Sequence, residues 1–152
     1  MSEKVKVFLD ASCWIAAAGS PGGGSAMILK LARAGYLQIA ATRQVLLEAE
    51  RNIKAKMSKG ALLRFYQELG TTEVELADGP TPEEKDRWRD LVAEKDCHVL
   101  AGAYKAAAGF LVTLDKQHIL AEKVKQGFPI PVKDTKEFLE GFLSTVCSGR
   151  SS

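Results

Sequence analysis

Val5-Lys6-Val7-Phe8-Leu9-Asp10 is a short, apolar, β-branched run that stops at an aspartate. Such a run suits a strand buried on both faces, which is the habit of a central strand in a parallel sheet. Ala11 to Ala18 continues as a helix, and Gly19-Ser20-Pro21-Gly22-Gly23-Gly24 breaks it as a loop. Outward from this opening unit, strand-like and helix-like segments alternate to the end of the chain. Ser25 can cap a helix over Ala26 to Ala34, and Leu37-Gln38-Ile39-Ala40 alternates as a second strand. Val45, Leu46, Ala49 and Ile53 give an amphipathic helix over 43–57, and another helix follows near Ala61 to Leu69. Glu73-Val74-Glu75-Leu76 reads as a short edge strand.

Thr81-Pro82-Glu83-Glu84 is a capping box with proline at the first helical position. Trp88, Leu91 and Val92 supply the inner face of its helix, and Asp96 opens the next one, through Ala108. Phe110-Leu111-Val112-Thr113 is a fourth strand, Gln117 to Lys125 a helix, and Ile130-Pro131-Val132 a fifth strand. Asp134-Thr135-Lys136-Glu137 is a second capping box before a final helix. The pattern predicts an α/β fold: a three-layer α/β/α sandwich with a central, mostly parallel five-stranded sheet. Residues 1–147 form one domain on this reading, and 148–152 a disordered tail.

The chain of 152 residues is 46% apolar and 26% charged, ordinary for a globular protein. No apolar run approaches the roughly 18 residues of a membrane span. Met1-Ser2-Glu3-Lys4 leads straight into the first strand without a signal peptide's longer apolar region. Cys13, Cys97 and Cys147 are an odd, scattered set, read as reduced thiols of a cytoplasmic protein. With only His98 and His118 as histidines, a metal site would lean on carboxylates. The net charge of +2 permits a polyanionic partner without arguing for one.

In open α/β sheets ligands bind at the carboxyl ends of the strands. Asp10 and Asp115 both follow strands, so their carboxylates converge if those strands are neighbours. Asp96 begins the helix that runs back to the second of these strands, and Glu48 lies on the polar edge of an amphipathic helix. Each acid also has a plain structural reading: Asp10, Asp96 and Asp115 as helix caps, and Glu48 as a solvated helix residue. Acids gathered in one place need either raised pKa values or a bound cation. Oxygen-only ligation favours Mg²⁺ or Mn²⁺, and such a site suits attack of water on a phosphodiester.

These residues also resemble a family pattern. Val7-Phe8-Leu9-Asp10-Ala11-Ser12, Val45-Leu46-Leu47-Glu48, Lys95-Asp96-Cys97-His98-Val99-Leu100-Ala101-Gly102-Ala103 and Phe110-Leu111-Val112-Thr113-Leu114-Asp115 resemble, in order, the four acid-bearing segments of PIN-domain nucleases. Pro131-Val132 followed by Glu137-Phe138-Leu139 resembles the usual ending. Two departures stand out: Ala11-Ser12 replaces the Thr-Asn common after the first acid, and Gln117-His118 stands where a fifth acid often lies.

The resemblance implies a ribonuclease in which Asp10, Glu48, Asp96 and Asp115 bind Mg²⁺ or Mn²⁺. Glu48 acts through a water, and one firmly held ion is expected rather than two. Ser12 and Thr113 support the acids, and His118 contacts phosphate or a carboxylate. Arg51, Lys54, Lys56, Lys59 and Arg64 form the densest basic stretch, just beyond Glu48 and preceded by Arg43; read as one basic face, it makes Arg43, Arg51 and Lys54 the candidates for holding RNA. Many small PIN proteins are VapC-like toxins of type II toxin–antitoxin pairs, so an antitoxin partner and a homodimer are implied. Rival readings are a PIN-fold module that binds RNA or protein without cutting, and a metal-dependent DNA nuclease. A response-regulator receiver fits poorly, because Lys133 lies in the wrong context for its lysine.

Overall fold

The computed structural model describes residues 4–150, with side chains described up to Val146. Its strands are β1 (Val5–Leu9), β2 (Leu37–Thr42), β3 (Val74–Ala77), β4 (Phe110–Val112) and β5 (Val132–Lys133). Its helices are α1 (Ala11–Gly19), α2 (Gly24–Arg33), α3 (Arg43–Lys56), α4 (Lys59–Thr71), α5 (Pro82–Asp86), α6 (Cys97–Lys105), α7 (Glu122–Gly127) and α8 (Thr135–Arg150). The sheet runs β3-β2-β1-β4-β5, and every neighbouring pair is parallel. β1 lies at the centre with Val7, Phe8 and Leu9 fully buried, as an apolar strand sealed on both faces must be. β3 is an edge strand, as its short alternating pattern predicts.

The chain reverses its direction across the sheet between β1 and β4, and this places a crevice at their carboxyl ends. α1 packs on α2, α3 and α4, and α2 on α8. α6 packs on α5 and lies over β2 and β4. α6 approaches the sheet so closely that a Cβ at Gly102 would stand 3.0 Å from the Phe8 ring and 2.9 Å from Thr42 Cγ2. Lys6 Nζ donates to the Ala106 carbonyl, pinning the end of α6 to the start of β1 (2.9 Å). The start of α6 therefore faces the carboxyl end of the sheet.

Several local features differ from the sequence reading. α2 begins at Gly24 with Gly23 as its cap, and Ser25 is buried inside the helix. Thr135 of α8 presses on Gly24, 2.9 Å from where a Cβ would be, so the first residue of this helix has no room for a side chain. The Thr81 capping box is present, but α5 closes after Asp86. The following turns carry Trp88 inward, where it meets Phe128 (centroids 4.8 Å apart) and Tyr104 (5.3 Å). α6 stops at Lys105 rather than Ala108, and Ala107 takes a positive φ of 55°. The helix expected from Gln117 is turns as far as Ala121. The Asp134–Glu137 capping box opens α8 as read. That helix runs on to Arg150, into the expected tail; residues 151 and 152 lie outside the described residues.

Candidate active site

Asp10 caps α1 at the end of β1 and is 6% exposed. Its Oδ1 accepts from the Ala11 N–H (2.8 Å), and its Oδ2 accepts from Thr113 Oγ1 (2.8 Å) and Ser12 Oγ (3.2 Å). Burial pushes its carboxyl above the usual range. The three hydrogen bonds oppose that shift, and the charge of Glu48 adds to it. The capping role and the clustered role of Asp10 therefore coexist.

Thr113 follows β4 and is fully buried. Its hydroxyl donates to Asp10 and accepts the Asp115 N–H (3.1 Å), so one oxygen ties the two strand ends together. The Ser12 hydroxyl accepts the Leu114 N–H (3.0 Å), a second tie across the same gap. Asp115 sits on the turn beyond. Its Oδ1 accepts from the backbone of Gln117 (3.2 Å) and His118 (3.1 Å), and His118 Nδ1 lies 3.1 and 3.2 Å from its two oxygens. Asp115 thereby caps the turns that follow it, and α7 begins only at Glu122.

The other two acids come from helices. Glu48 lies one and a half turns into α3, and its Oε1 is 3.1 Å from His98 Nε2 of α6. His98 is 3% exposed, and its Nδ1 is buried without a partner. Asp96 precedes α6 without capping it through its side chain, so the plain capping reading fails there. Its Oδ2 is likewise buried and unpartnered. Burial raises the Asp96 carboxyl, Lys95 and His118 pull it down, the Asp115 charge pushes it up, and His98 pulls it down. Glu48 thus acts on Asp10, and Asp115 on Asp96, at the carboxyl end of the sheet.

Among the described residues, no three His, Cys, Asp or Glu side chains already close on one point as metal ligands. The donor set nevertheless fits a hard divalent cation. All four acids offer oxygen, and the orphaned Asp96 oxygen wants a positive partner.

The basic candidates are placed unevenly. Arg51 is three residues beyond Glu48 and rises on the same side of α3. Arg43 and Lys54 share a stripe roughly 120–140° around the helix from Glu48. Arg43 lines a shallow groove with Leu47 and Tyr66, and Lys54 Nζ faces Glu50 at 3.9 Å. Arg64 donates to the Ala18 carbonyl (2.6 Å), a structural duty. His98 was not singled out from sequence as a site residue. Its signal was a lone histidine in the apolar run Val99-Leu100-Ala101, where a buried imidazole needs a polar partner.

The sequence profile described as the PIN domain matches residues 6–117. No curated protein matches the chain. Among solved structures, the chain is similar to PAE2754 from Pyrobaculum aerophilum at 16% identity and a TM-score of 0.60, over 92% of this chain and 90% of that one. It is similar to VapBC2 from Rickettsia felis, solved bound to a DNA fragment from its promoter, at 15% identity and TM-score 0.61 over 86% and 98%. It is also similar to VapC20 of Mycobacterium tuberculosis, described as a sarcin-ricin loop cleaving toxin, at 15% and TM-score 0.55 over 80% and 95%. These likenesses concern the fold.

Proposed function

The chain belongs to the PIN domain family, and from that premise we propose that it is a divalent-metal-dependent endoribonuclease acting through Asp10, Glu48, Asp96 and Asp115. The observation that carries the reading is the Thr113 hydroxyl. It fixes the Asp10 carboxylate and the Asp115 backbone at once, at the carboxyl ends of β1 and β4. A purely structural role would need only one of those ties.

Asp10, Asp96 and Asp115 would hold Mg²⁺ or Mn²⁺, directly or through water, with Glu48 orienting a water. When bound, the cation lowers the pKa of the attacking water and neutralises charge on the phosphate. The chain's own groups position this chemistry. Thr113 and Ser12 lock the Asp10 carboxylate, and His98 holds Glu48 by the 3.1 Å contact. His118 restrains Asp115 from the solvent side. The description of VapC20 as a toxin and the likeness to VapBC2 support a narrower role, the toxin of a type II toxin–antitoxin pair with a protein antitoxin; a homodimer and a cytoplasmic setting are part of the same proposal. No helix among the described residues is long and apolar enough to cross a membrane.

The test is one cutting assay on mixed RNA and on DNA, each with Mn²⁺, Mg²⁺ or chelator, beside Asp10→Asn. Metal-dependent RNA cutting that falls by on the order of 10³-fold in the variant supports the proposal. Cutting that survives both chelator and the substitution contradicts it. Cutting of DNA alone would move the reading to a DNA nuclease, and no cutting at all would favour the binding module.

A further inference from the structure

A cavity of about 350 Å³ opens beside the acids, and the four-acid mechanism does not use it. It is lined by Arg89, Gln117, His118 and Lys123, with the stretch Leu91–Ala93 behind them. Its size lies at the lower end of the roughly 300–1,000 Å³ of small-ligand sites. His118 belongs to both places. Its Nδ1 touches Asp115, while the residue lines the cavity. The cavity therefore continues directly from the acidic centre.

The charge inventory favours an anion here. Lys123 is exposed and makes no ion pair among the described residues. Arg89 is two-thirds exposed, and among the described residues its one ion pair is with Asp86, at 3.8 Å with both side chains open to water, a contact too weak to neutralise it. Asp90 is an exposed carboxylate in the lining, so two cations face one acid. Gln117 adds an amide that can both donate and accept. By contrast, in the basic stretch of α3 and α4, Arg64 is committed to a backbone carbonyl. Lys54 faces Glu50, and Arg43 and Lys54 lie off the Glu48 side.

We infer that this cavity is the substrate-positioning subsite, in which Arg89 and Lys123 hold a phosphate of single-stranded RNA next to the one being cut. The inference rests on the ribonuclease reading. A flexible strand can lay one phosphate against the acids and the neighbouring one in the basic cavity, with His118 between them. Arg89 supplies a planar fork suited to phosphate oxygens, and Lys123 a point charge. This pairing of an acidic centre with a basic cradle aligns the strand without reading its bases.

The test is fluorescence anisotropy of a short, labelled, mixed-sequence single-stranded oligoribonucleotide, in chelator so that nothing is cut. Arg89→Ala/Lys123→Ala is compared with wild type and with Arg43→Ala/Lys54→Ala. All four side chains are exposed, so the fold should persist, which thermal melting verifies. The cavity variant should lose affinity about tenfold, and its salt slope should fall by about 0.7, the share of one phosphate contact on a single strand. The α3 variant should change affinity less than about twofold. Full affinity and an unchanged slope in the cavity variant, with wild-type RNA cutting intact, overturn the subsite and leave the nuclease reading standing. An equal loss in the α3 variant also overturns it. A wild-type chain that neither binds nor cuts RNA overturns both.

Discussion

The carboxyl ends of β1 and β4 and the flanking helices α3 and α6 each bring two acids to the cluster, and they hold them differently. At the strand ends, Asp10 and Asp115 accept hydrogen bonds on both side-chain oxygens or are bracketed by His118. On the helices, Glu48 has a single histidine partner, while Asp96 Oδ2 and His98 Nδ1 are buried with none. Buried polar atoms are ordinarily satisfied, and each exception calls for an account. The difference teaches that the fold alone fixes the strand half of the site, whereas on the helix half it leaves two buried polar atoms without a partner among the described residues, where the proposed cation would act.

Thr113→Val is the sharpest way to break the strand half. It removes the one hydroxyl serving both Asp10 and Asp115 at nearly constant shape. Mn²⁺ affinity measured by calorimetry should fall about 10- to 100-fold, in the range of lost supporting hydrogen bonds at metal sites. The folded state should lose about 1–2 kcal/mol in denaturant melts. An unchanged Mn²⁺ affinity would show that the strand ends are not preorganised for a cation.

His98→Leu probes the helix half and should act more weakly. It frees Glu48 but also removes a buried, unpartnered nitrogen. Mn²⁺ affinity should fall about tenfold, while thermal stability should hold or rise. A large loss of stability with unchanged Mn²⁺ affinity would make His98 a core residue only.

The smallest expected effect is on stability against pH. Asp10 and Asp96 are both raised above the ordinary value of 3.8, chiefly by burial. The folded chain therefore holds protons there that the unfolded chain has released. Their contribution to stability is full below that ordinary value and is lost as pH rises through the raised values. In chelator, melting temperature should decline across that window, and Asp10→Asn should flatten the decline. Added Mn²⁺ should reverse it at neutral pH, because a cation favours the charged carboxylates. A slope unaltered in Asp10→Asn would separate the acid from this behaviour.

What could be read from the sequence was what is local. The strand ahead of Asp10, both capping boxes and the Phe110–Val112 strand depend on neighbours in the chain, and all are present. The convergence of Asp10 and Asp115 was conditional on strand order, and the β1–β4 pairing supplies that condition. Tertiary contacts were not legible. The Glu48–His98 contact joins residues fifty apart. The basic stretch after Glu48 read as one face because composition ignores helical phase, and its members point different ways. The late start of α7, at Glu122, has no counterpart in the local sequence pattern. The shortened α5 follows from burying Trp88 against Phe128.

The central claim is that carboxylates from both halves meet on one cation. It is tested most directly by titrating Mn²⁺ into the wild-type chain, Asp10→Asn and Asp96→Asn, and following binding by calorimetry. One variant comes from the strand half and one from the helix half. The account predicts one principal Mn²⁺ site per chain, with affinity reduced at least about tenfold in each variant. Equal Mn²⁺ binding by all three proteins, or none by the wild type, would contradict it.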